Sequence, residues 1–106
     1  MTGPELKQLR ADLSEAIGRE LTVADMAKLC GLPAANGTVT IRRWEVRGPS
    51  ASAAKVLGVL AMASERYPIL DKFDIFDRHT IAEKDRPAQR QKFREQMREE
   101  VRRRLA

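Results

Sequence analysis

At 106 residues, 42% hydrophobic and 33% charged, the chain has room for one compact core with an appendage, and a domain of this size folds without disulfides or metals. Cys30 is the single cysteine, which excludes an internal disulfide and a thiolate-rich zinc site and fits the reducing cytoplasm, where the protein is expected to reside. The net charge of +5 favours polyanionic partners, but it is local: residues 1–77 carry ten Lys/Arg and ten Asp/Glu, whereas 78–106 carry ten and five.

No basic segment leads into an apolar run at the N-terminus, and the longest mainly apolar stretch, Ala53 to Ala63, is far short of the ~20 residues that span a bilayer. A soluble, unexported protein with no membrane partner is expected. In chain order, Pro4 suits the first turn of a helix, and Leu6, Leu9, Leu13 and Ile17 recur at spacings of three and four, which predicts an amphipathic helix over about 4–18. Thr22 with Asp25 three positions on has the form of a capping box opening a short second helix, with Met26, Ala27 and Cys30 on its buried side and Gly31 at its end.

Pro33, Asn36 and Gly37 are turn formers that separate this helix from a third over about Thr38 to Val46. The β-branched Val39, Ile41 and Val46 would suit a strand, but Arg42-Arg43 and the three-residue spacing of Ile41 and Trp44 favour a helix with those two residues inward. Gly48-Pro49 stops it. Ser50 or Ser52 caps a fourth helix, largely buried through Ala53, Val56, Leu57, Leu60, Ala61 and Ser64, which must end before Pro68.

Ile69, Leu70, Phe73, Ile75 and Phe76, interrupted by Asp71, Asp74 and Asp77, form either a short helix or an ordered connector. From Asp85 and Pro87 onward nothing breaks a helix to Arg104, and Phe93, Met97, Val101 and Leu105 recur every four residues on an otherwise Arg/Glu/Gln surface. The organisation expected is therefore a globular helical unit at 1–67, a connector at 68–86 and a basic amphipathic helix at 87–106.

A helix-turn-helix needs a small residue where its two helices approach, a Gly that permits the turn, and apolar anchors behind the second helix while its other face enters the major groove. Ala27, Gly31, and the pair Ile41 and Trp44 supply these. The segment "LTVADMAKLCGL...TVTIRRWEVRG" resembles the Xre (lambda-repressor-like) family over residues 4 to about 66, including the Leu-rich helices on either side. It departs from the family's pattern in about four extra residues at Pro33 to Gly37, which displace the start of the recognition helix.

The resemblance implies an all-α fold, a four- to five-helix lambda-repressor-like globule with the long basic C-terminal helix added. It also implies sequence-specific binding of double-stranded DNA by a transcriptional regulator, a repressor acting as a homodimer on an inverted repeat. By the same analogy Thr38, Val39, Arg42 and Arg43 face outward to read bases. Thr22, Lys28, Asn36 and Arg47 contact the DNA backbone, with helix capping as an alternative role for Asn36 and Thr38.

An enzyme would need an activated nucleophile, paired carboxylates or a phosphate-cradling Gly loop, and none is visible, so neither catalysis, cofactor nor metal is expected. The aspartates at 71, 74 and 77 lack the Gly and closing Glu of a calcium loop, His79 has no second His to share a metal, and Cys30 falls on an inward position. The competing reading is an adaptor whose Arg-rich C-terminal helix binds RNA or another protein such as polymerase. A band repeating every four residues drifts by about 40° per step around a helix of 3.6 residues per turn, so Phe93, Met97, Val101 and Leu105 suit a crossed helix contact. A second subunit is the expected partner of that contact, the chain's own core the alternative.

Overall fold

A computed structural model of the chain describes residues 1–66 and 83–106. Among the described residues the secondary structure is entirely helical: α1 (Gly3–Ile17), α2 (Val23–Leu29), α3 (Gly37–Arg47), α4 (Ala51–Leu60) running into a 3-10 turn (Ala61–Ala63), a second 3-10 turn (Glu83–Asp85), and α5 (Arg86–Leu105). The readings made of the connector, from Ile69 to His79 with its three aspartates, lie outside the described residues.

Local chemistry sets most of the helix boundaries. Thr2 and Glu5 close a reciprocal cap over the start of α1, where Pro4 lacks the N–H that would otherwise go unpaired. The same device opens α2: the Thr22 hydroxyl accepts from Asp25 N at 3.1 Å and an Asp25 carboxylate oxygen accepts from Thr22 N at 2.9 Å. Ser50, and not Ser52, caps α4 by accepting from Ala53 N. Thr22→Ala should leave the Asp25 N–H without its acceptor and cost about 1 kcal/mol, read as a lowered urea midpoint with an unchanged slope. An unaltered midpoint would mean that water replaces the cap without loss.

The core is shared by all five helices, with the buried turn at Ala61–Ala63 packed on α1, α4 and α5. Leu6, Leu9, Leu13 and Ile17 come from α1, Met26, Ala27 and Leu29 from α2, Ile41 from α3, and Leu57 and Leu60 from α4. Leu21, in the loop after α1, is also fully buried, and its N–H donates to the Ser14 hydroxyl at 2.9 Å. Cys30 is half-buried against this core, and burial pushes its thiol up to about 11, so it stays protonated and packs as a small apolar group. Two expectations are corrected. Val56 is exposed, because the inward face of α4 runs through Leu57 and Leu60, one position further round. Trp44 is only partly buried, while Ile41 is the fully enclosed anchor of α3.

The larger correction concerns the C-terminal helix. Its apolar stripe is occupied within the chain: Val101 is 0% exposed in the core, with Met97 and Leu105 packed against it and Phe93 half-buried. α5 lies across the Ala61–Ala63 turn, α2 and α1, and Arg98 Nε donates to the Ala63 carbonyl at 2.9 Å. The slanting band does cross other helices, as its periodicity requires, but they belong to the same subunit, so Val101 is not free to form the expected dimer contact.

Candidate nucleic-acid interface

α2 and α3 are held together at one close approach. Gly31 has φ +70°, a left-handed conformation that lets the chain leave α2, and Leu32 N then donates to the Ala27 carbonyl at 2.9 Å, closing the helix end. α3 begins at Gly37, so of the extra residues all but the last form the turn and Gly37 opens the helix. Gly37 is buried, and a Cβ there would stand 2.8 Å from the Ala27 Cβ. The small residue at 27 thus meets its counterpart at 37, a pairing the sequence pattern did not single out.

From beneath, α3 is anchored by Ile41 and, in part, by Trp44. A third tether joins it to α1: Arg10 Nε donates to Glu45 Oε1 at 2.8 Å while Arg10 Nη1 donates to the Leu21 carbonyl at 3.3 Å. Glu45 is the only acid in α3, and this pair draws it inward to 12% exposure. The outward face consequently carries no carboxylate.

That face consists of Val39, Arg42, Arg43, Val46 and Arg47, all exposed, which at 100° per residue fall within one arc of the helix. None of the three arginines is in an ion pair among the described residues. Four arginines of α5 behave otherwise: Arg98 pairs with Glu95 and Glu65, Arg102 with Glu99, and Arg103 and Arg104 with Glu100, whose carboxyl these hydrogen bonds hold below its ordinary range. Although the net charge lies in the C-terminal part of the sequence, and Arg90 and Lys92 of α5 are likewise in no ion pair among the described residues, α3 gathers three such cations on one face that carries no acid.

No family model, no curated protein and no solved structure matches the chain.

The remaining residues singled out from the sequence are not all brought to this face. Thr38 is half-buried at the start of α3, and Asn36 holds the cap position without a side-chain cap bond, its carbonyl accepting instead from the Thr40 N–H and hydroxyl. Thr22 has its hydroxyl committed to the capping box, and the Asp25 carboxylate, 3.5 Å from Arg19, stands at the end of α2 where a phosphate would approach. That opposes the expected backbone contact at Thr22. Lys28 is exposed but donates to the Ala106 carbonyl at 3.4 Å. Val46, not singled out from the sequence, shares this face, seven residues after Val39 and two turns along.

Elsewhere, a concavity of about 250 Å³ is lined by Asp12, Glu15, Ser64, Glu65, Arg66 and Arg98. Its two arginines face carboxylates, Arg66 at 3.1 Å from Glu15 and Arg98 at 3.4 Å from Glu65, so it serves as an ion-paired joint between α1, the turn and α5. Among the described residues no cluster of His, Cys, Asp and Glu could hold a metal ion, and no helix is long and apolar enough to cross a membrane.

Proposed function

We propose that the protein binds double-stranded DNA sequence-specifically through α3 and regulates transcription, acting as a repressor in homodimeric form on an inverted repeat. The observation that carries this reading is the outward face of α3, three arginines in no ion pair among the described residues, interleaved with exposed valines and free of acids, on a helix tethered by Ile41, Trp44 and the Arg10–Glu45 pair. Arginine is the commonest donor to guanine O6 and N7, and a rigidly held helix is what direct readout needs. The resemblance of the α2–turn–α3 segment to the Xre family supports the same conclusion. Two-fold assembly is part of the proposal because it would extend the few base pairs that one such helix covers. The competing reading, an RNA- or protein-binding role for α5, draws on the positive charge this helix keeps, since its three glutamates pair with Arg98, Arg102, Arg103 and Arg104, Glu100 serving two of them.

Selection of bound sequences from a random duplex pool tests the proposal and shows any two-fold symmetry. On the selected site Arg42→Ala should lose roughly 1–3 kcal/mol of binding and relax the preference at one base position. Arg47→Ala, at the edge of the face, should weaken selected and random duplexes alike and reduce the salt slope by about one. Retention of both affinity and preference in Arg42→Ala would remove α3 as the reading element, and tighter binding of hairpin RNA than of duplex DNA would replace the reading altogether.

A further inference from the structure

Large apolar side chains are exposed at five places among the described residues, and the two most exposed, Val46 at 77% and Val39 at 55%, share the outward face of α3. Single exposed valines are ordinary on a protein surface. These two are not scattered: they lie two helical turns apart, with Arg42 and Arg43 between them. A valine offers nothing to a phosphate and gains nothing from water, so its recognition chemistry is apolar contact alone. On the floor of the major groove the apolar group is the C5-methyl of thymine.

We infer that α3 docks lengthwise in the major groove, with Val39 and Val46 each packing on a thymine methyl and Arg42 and Arg43 addressing guanines between them. The inference rests on the DNA-binding reading above and adds the composition of the half-site. Positions 39, 42, 43 and 46 form the i, i+3, i+4, i+7 set that a helix lying along the groove presents to base edges. Seven residues of helix rise ~10.5 Å, which matches about three base-pair steps of ~3.4 Å. A helix entering by its N-terminal end would reach Val39 and leave Val46 in solvent. The unpaired arginines and the absence of an acid on this face give the charge complementarity that such a deep approach to DNA requires.

Uracil in place of thymine removes the methyl and leaves every hydrogen-bonding group of the base unchanged. With duplexes selected from a random pool, each thymine is replaced singly by deoxyuridine and the Kd measured at one salt concentration. Two positions about three base pairs apart should each lose about fourfold, the worth of one buried methyl. Val46→Ala should abolish the uracil penalty at one of them and Val39→Ala at the other, while Arg42→Ala leaves both penalties in place. Both valines are exposed, so neither alanine variant threatens the fold. If uracil is tolerated at every position of a well-selected site, the methyl contacts are refuted and DNA binding stands. If only the Val39 position responds, the helix enters end-on and lengthwise docking is refuted. If no sequence is selected at all, the DNA-binding reading falls and this inference with it.

Discussion

Val101→Asp is expected to remove a large part of the protein's stability, read as a urea midpoint far below that of the parent. Val101 is fully enclosed among apolar side chains of the core, and a carboxylate placed there must either stay charged without a partner or take up a proton. An uncompensated buried charge costs about 3–5 kcal/mol, against a total stability on the order of 5–15 kcal/mol for a domain. Val101→Ala removes two carbons without adding charge and should cost roughly 2 kcal/mol. Urea unfolding followed by circular dichroism separates the two. A wild-type midpoint for the Asp variant would show that α5 does not dock on this core, and would return its stripe to service as an intersubunit contact.

Ile41→Ala should have the next largest effect, a loss of about 2–5 kcal/mol, because it opens a cavity under α3 where α1 and α2 meet it. Trp44 is the larger side chain, yet it is only partly buried, and Trp44→Ala should cost about 2 kcal/mol, near the low end of that range. Trp44 is also the single tryptophan, so its emission reports directly on the seating of α3. In Ile41→Ala the emission should move to longer wavelength at a lower urea concentration than in the parent. If Trp44→Ala proves the more damaging of the two, the tryptophan, and not the isoleucine, is the principal anchor.

Much of the framework is legible from neighbouring residues alone. The Thr22–Asp25 capping box, the left-handed Gly31, the serine cap of α4 and the inward Ile41 each depend on groups within four positions of one another. The exposure of Arg42, Arg43 and Arg47 follows once Ile41 faces the core, since helical geometry then sends those side chains the other way. The burial of Leu21 was not legible, because one leucine in a loop has no periodicity to declare its side.

Periodicity along the chain thus establishes that the described segments are helical, where most of their helices begin, and most of the apolar face of each, with Val56 the exception, because caps and amphipathic spacing act over one or two turns. Which surface covers each apolar face is a through-space matter. Packing alone placed Val101 against the N-terminal helices and Gly37 against Ala27. It also drew Glu45 to Arg10, 35 positions away, leaving the outward side of α3 without an acid. A four-residue stripe reads the same whether its partner is a second subunit or its own chain, since burial depends on contact geometry and carries no mark in local spacing.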